Sequence, residues 1–158
     1  MLLTPHTLVG IAIATLIPNP YISVPVALGS HFLGDLMPHW DFFTYTKREE
    51  RGHGWKLLGV VADTVIGTAV GLSLTLYVLW VLKNPGLSLN IFLCGIAAVL
   101  PDILTGPSIY VSNPPKLFRL VHNLQSKMQN SAGPLLGNLT QTVVALVAFW
   151  VIASTLGF

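Results

Sequence analysis

Long apolar runs, broken by prolines and by a few ionisable residues, set the plan of this chain. The first run, Leu8 to Ile17, is short, and the second, Tyr21 to Met37, is interrupted by Pro25, Gly29, His31, Gly34 and Asp35. Between them Pro18-Asn19-Pro20 marks a turn, because the residue before each proline is pushed out of helical geometry. The pair predicts a helical hairpin rather than two ordinary membrane spans. Leu57 to Leu82 is 26 residues long with Asp63 as its only charge, enough to cross a bilayer with some tilt at about 1.5 Å per residue. Leu87 to Leu100, ending at Pro101, predicts a fourth helix, and Leu135 to Leu156 a fifth.

Two stretches depart from this pattern. Phe42 to Lys56 is a polar loop that holds Lys47, Arg48, Glu49, Glu50, Arg51, His53 and Lys56. Thr105 to Pro134 opens as a proline-rich connection. It then carries Lys116 to Lys127, where Leu117, Phe118, Leu120, Val121 and Leu124 approximate helical spacing. That spacing predicts a short amphipathic helix, lying on the membrane or packed on the surface.

Composition turns the pattern into a class. The chain is 53% hydrophobic and 9% charged, against about a quarter charged in soluble domains. Six acids and eight bases cannot cover the surface of a soluble domain this size, whereas a lipid-facing surface needs no such cover. The expected fold is all-α, a polytopic membrane bundle of about five helices in one domain spanning residues 1–158. The net charge of +2 comes without a long basic run, so nucleic acid is not an expected partner. Cys94 is the one cysteine and cannot form an internal disulfide. Met1 to Pro5 carries no charged side chain, unlike the basic start of a signal peptide, and is read as part of the fold.

Charge also orients the chain. Threading the hairpin and three spans puts Lys47, Arg48, Arg51, Lys56, Lys116, Arg119 and Lys127 on one side, seven of the eight bases. The positive-inside rule assigns that side to the cytoplasm, with the N-terminus inside and the C-terminus outside. Short matches hint at an internal repeat of helical hairpins: His6-Thr-Leu-Val-Gly10 aligns with Asp63-Thr-Val-Ile-Gly67 and with Gln141-Thr-Val-Val-Ala145, and Leu36-Met-Pro-His39 with Val99-Leu-Pro-Asp102.

Ionisable groups in apolar helices cost about 2.5–3.5 kcal/mol each on insertion scales, so each needs a reason. His31 and Asp35 are spaced i, i+4 and share a helix face. In the threading above His6, Asp35, His39, Asp41, Asp63 and Asp102 all fall at one membrane face, with His53 and His122 in loops on that face. Imidazoles and carboxylates suit Zn²⁺ and similar divalent ions, and a bound cation would balance buried carboxylates that otherwise repel one another. A polar seam joining helices by hydrogen bonds is the structural alternative.

The His6-Thr start, the block Ser30-His-Phe-Leu-Gly-Asp-Leu-Met-Pro-His-Trp-Asp41, Leu100-Pro-Asp102 and His122 resemble the bacterial family of small inner-membrane metal-dependent hydrolases, itself distantly similar to zinc-dependent phospholipase C. The likeness runs over most of the chain. It departs from the family where members carry Leu-Pro-Asp-x-Asp-His and His-Arg-x-x-Thr-His; here stand Pro38-His-Trp-Asp41 and Gly52-His-Gly54. The resemblance implies a metal-dependent hydrolase of the bacterial inner membrane. On that reading His6, His31, Asp35, His39, Asp102 and His122 hold one or two Zn²⁺ ions, and Asp63 or Asp41 orients or deprotonates a nucleophile. The expected substrate is a phosphoester of a membrane lipid or a lipid-linked phosphate, drawn by Lys47, Arg48 and Lys116. Two non-enzymatic readings compete: an ion or small-solute carrier, and a scaffold anchored at the interface by Trp40, Phe42, Phe43 and Tyr45.

Overall fold

The computed structural model describes residues 1–44, 46, 47, 50, 51, 53–111 and 113–158, with the backbone alone at Ile109 and Tyr110. Tyr45, Arg48, Glu49 and Gly52 of the polar loop, and Ser112, lie outside the described residues. Among the described residues six helices form: α1 (Leu3–Leu16), α2 (Pro20–Leu36), α3 (Gly54–Trp80), α4 (Pro85–Tyr110), α5 (Lys116–Met128) and α6 (Pro134–Leu156). Five are the apolar segments of the pattern and α5 is the amphipathic one. Three of them, α3, α4 over Pro85–Ser108 and α6, are long and apolar enough to cross a membrane. Their outward faces carry exposed Val61, Val65, Leu139, Leu146 and Trp150, as a lipid-facing surface should. The described residues build an all-helical fold whose three long apolar helices mark a membrane protein.

Both Asn-Pro pairs start helices by the same chemistry. Asn19 accepts the Tyr21 N–H at 3.0 Å and Asn84 accepts the Leu87 N–H at 3.0 Å, while the following proline stands at the first helical position, where its missing N–H costs nothing. The end of α4 differs from expectation. The helix does not stop at Pro101 but runs through Pro101 and Pro107 to Tyr110. Proline removes one helical hydrogen bond and crowds the carbonyl four residues back, and the carbonyl next to that one, Ala98 O, meets a side chain of α2 instead: His31 Nδ1 at 2.8 Å.

α1 is the centre of the bundle, packed against α2, α3, α4 and α6. Ile11 and Ala14 of α1, Ala27 of α2, Val78 of α3, Ile91, Cys94 and Ala98 of α4 and Ile152 of α6 are fully buried together. Glycine lets α1 approach its neighbours: a Cβ at Gly10 would stand 2.6 Å from Ala98 Cβ, and one at Gly67 of α3 would stand 2.6 Å from Leu3 Cδ2.

With 14 residues, α1 is about 21 Å long, well short of a hydrocarbon core of about 30 Å. Its end groups therefore fall among other helices, where an unpaired N–H or C=O is costly. No side chain next to its start caps it; the neighbouring helices do so instead. Gln141 Oε1 of α6 accepts the Leu2 N–H at 2.7 Å. Asp63 of α3 accepts the Leu3 N–H at 2.6 Å, the Thr4 N–H at 3.2 Å and the Thr4 hydroxyl at 2.7 Å. At the other end Asn90 Nδ2 of α4 donates to Ala14 O at 3.2 Å and Ile17 O at 2.9 Å, and Ser23 holds its Oδ1 at 2.7 Å. Three polar residues inside apolar helices thus complete the backbone of a fourth.

Replacing Asp63 with Leu strands the Leu3 and Thr4 donors. We expect a loss of about 2–4 kcal/mol, at roughly 1–3 kcal/mol per unsatisfied buried group. Asp63→Asn, which keeps an acceptor, should lose less than half as much. Unfolding midpoints of the two variants in mild detergent check this, and equal midpoints for Asp63→Leu and the parent would refute the capping role.

Candidate functional site

The site is built around the end of α2. Pro38 keeps Met37 out of helical geometry, and Met37 N–H closes the helix by donating to Gly34 O at 3.1 Å. The segment before α6 then clamps the end. Asn130 N–H donates to Asp35 O at 2.8 Å and Asn130 Nδ2 to Leu36 O at 3.1 Å, which satisfies two terminal carbonyls. His39 pairs with the same segment in a short parallel bridge to Ser131, its N–H on Asn130 O at 3.1 Å and its O taking Ala132 N–H at 2.7 Å. This folds the His39 ring back toward α2, with Nε2 4.0 Å from Asp35 Oδ1.

Asp35 is the hub. Its side chain is fully buried, and a buried carboxylate is stable only with partners of opposite charge or good hydrogen bonds. Oδ1 receives the Met1 ammonium at 2.6 Å and lies 3.3 Å from His6 Nε2. Oδ2 lies 3.4 Å from His31 Nε2 and accepts Gln125 Nε2 at 3.2 Å. Asp102 of α4 completes the group, its Oδ1 3.6 Å from His31 Nε2. The His6 and His31 rings stack with centroids 4.1 Å apart. One ligand atom each from His6, His31 and Asp102 lies within 4.8 Å of the others.

Backbone carbonyls fix the state of two of these imidazoles. His31 Nδ1 meets Ala98 O at 2.8 Å and His39 Nδ1 meets Met37 O at 2.9 Å. A carbonyl only accepts, so both rings carry the proton on Nδ1 and, when neutral, turn the Nε2 lone pair toward Asp35. Burial holds the His39 imidazole below its ordinary pKa and so keeps it neutral. An imidazole whose Nδ1–H is held by a carbonyl is the usual outer support of a metal-binding histidine.

A cavity of about 440 Å³ opens beside the cluster, walled among others by Asp41, Arg51, Asp63, Asp102, His122 and Gln125. Of the residues singled out from sequence, His6, His31, Asp35, His39 and Asp102 come together. Three others stand apart. Asp63 lines the cavity, and its oxygens accept hydrogen bonds from the start of α1, which it caps. Asp41 organises its own loop, Oδ1 accepting the Phe43 N–H at 2.7 Å, and holds Gln129 Nε2 with Oδ2 at 3.0 Å. His122 sits on α5 in the cavity wall and is not one of the residues around Asp35. Gln125 was not anticipated. It lies at i+7 from Phe118 and i+4 from Val121, sharing their half-buried face of α5 rather than that of the exposed Leu117, Leu120 and Leu124. A polar residue where the inward face calls for an apolar one was the available signal.

Comparison with protein-family models, curated proteins and solved structures finds no match to this chain. In nitrogen NMR of the histidine-labelled protein, His31 and His39 should both appear as the Nδ1–H tautomer near neutral pH; Nε2–H tautomers would contradict the geometry.

Proposed function

We propose that the protein is a membrane-embedded metal-dependent hydrolase that cleaves a phosphoester of a membrane lipid or lipid-linked phosphate. The observation that carries this reading is the gathering of three imidazoles and a second carboxylate, Asp102, about Asp35, with Asp102 reaching the wall of a cavity, in a chain with few ionisable residues. The donors fit a zinc-type ion: imidazole nitrogens with carbonyl-held Nδ1–H groups, plus carboxylate oxygens. His6, His31, Asp35, His39 and Asp102 would hold it. A divalent ion there supplies positive charge that polarises a phosphoryl oxygen and acidifies water.

The chain's own groups do the rest. Arg51 on the cavity wall is placed to pair with a phosphate. Asp41, in the cavity wall with one hydrogen bond to each oxygen where Asp63 accepts three from α1, is the carboxylate we assign to orient or deprotonate a nucleophile. A second, apolar cavity of about 160 Å³ runs between α3 and α4 and shares Leu3, Thr64 and Ile103 with the first. It gives an acyl chain a place beside its headgroup, which favours an amphiphilic substrate over a free phosphate. The excess of bases on the loops of this end supports a site on the cytoplasmic face, by the positive-inside rule. A carrier would be expected to set its charged residues near the bilayer midplane, whereas these lie where α1 begins and α2 ends.

Asp35→Asn should lose both the bound metal and the hydrolysis of phospholipid in mixed micelles, by at least about a hundredfold in rate. Elemental analysis of folded Asp35→Asn, purified without chelator beside the parent, decides the matter. Unchanged metal content in the variant, or none in the parent, would sink the assignment.

A further inference from the structure

We propose that Gln125 is a further ligand of the cation at this site, through its side-chain oxygen, and that it ties the surface helix α5 to the occupancy of the site. The inference rests on the metal reading above and adds a residue that reading does not use. Gln125 Nε2 lies 2.6 Å from Asp102 Oδ1, 3.2 Å from Asp35 Oδ2 and 3.2 Å from His31 Nε2. Both carboxylates present lone pairs, and with the Ala98 carbonyl holding a proton on His31 Nδ1 the neutral ring presents a third at Nε2. Two carboxylates and an imidazole from α2 and α4 converge on one point, a set of groups that matches the ligands of a divalent ion. Such a point suits a cation better than an amide.

The other end of the same amide is the second observation. Gln125 is 8% exposed, and its Oε1 is buried with no hydrogen-bond partner among the described residues. Buried amide oxygens are rarely left so, and one that is calls for an explanation. Rotation about the last side-chain bond, a broad two-fold torsion, exchanges the two ends. Without an ion, Oε1 pointing inward would face two carboxylates and a lone pair, so Nε2 points in. With an ion among those atoms, Oε1 becomes a ligand and Nε2 leaves the crowd of acceptors. The charge at the site therefore sets the direction of the amide.

The consequence reaches α5. Its outer face is the exposed stripe Leu117, Leu120 and Leu124, and Lys116, Arg119 and Lys127 are exposed as well, so Gln125 is the deeply buried anchor of a helix otherwise at the surface. An ion bound through Gln125 tightens α5 onto α2 and α4.

The test uses the full-length protein in mild detergent, with Zn²⁺ titrated against a chromogenic competitor and trypsin cleavage followed at Arg119 and Lys127. In the parent, Zn²⁺ should slow cleavage in α5. Gln125→Leu should bind Zn²⁺ at least tenfold more weakly and lose the protection, and Gln125→Glu, which restores an oxygen, should regain both. If Gln125→Leu does not fold, Gln125→Asn, one methylene too short to reach, is judged by the same criteria. Parent-like affinity in Gln125→Leu, or equal protection of α5 in both proteins, overturns the role of Gln125 while the metal reading stands. No Zn²⁺ bound by the parent overturns both.

Discussion

A helix too short to cross a bilayer cannot leave its ends to lipid. α1 has 14 residues and sits among four other helices, so the donors at its start and the acceptors at its end open into protein rather than water. The rest of the bundle answers that demand. Asp63 and Gln141 close the start and Asn90 closes the end, each from within a helix long enough to span. Gly10 and Gly67 bring the backbones close enough for those side chains to reach.

This constraint divides the polar residues of an apolar chain into two groups. Asp63, Gln141 and Asn90 are explained by the backbone they satisfy, and Ser23 by the Asn90 amide oxygen it holds. His6, His31, Asp35, His39, Asp102 and Gln125 are turned chiefly toward one another, with Asp35 at the middle. Where one of them does meet the backbone, as His31 and His39 do through Nδ1, the bond aims the other nitrogen at Asp35. The second group is the part of the molecule whose cost in an apolar setting the fold does not explain, and it is where the proposed chemistry is placed.

Much of this was legible from the chain. The long apolar runs marked α3 and α6 to within a few residues, and the i, i+4 spacing of His31 and Asp35 put both on one face of α2. Proline misled at position 101, because a proline inside a helix is a break only when nothing else holds the turn; here α4 is packed on α1 and α2. Asp63 shows a different limit of the sequence. A lone acid in an apolar helix reads as functional, and only the three-dimensional placement of the α1 start reveals a cap. The short matches align His6, Asp63 and Gln141, and these three do meet around the beginning of α1, two as its caps and one as a partner of Asp35. Gln125 was marked only by its place on the inward face of α5, because an uncharged amide names no chemistry until its neighbours are known.

The central claim is that the two groups of polar residues have separate jobs, and paired measurement of stability and bound metal tests it most directly. Gln141→Leu and Asn90→Leu should lower the unfolding midpoint in detergent while the folded fraction keeps its metal. His6→Ala and His39→Ala should release metal at a smaller cost in metal-free stability. Metal content that follows the caps, or that never responds to the histidines, would contradict the account.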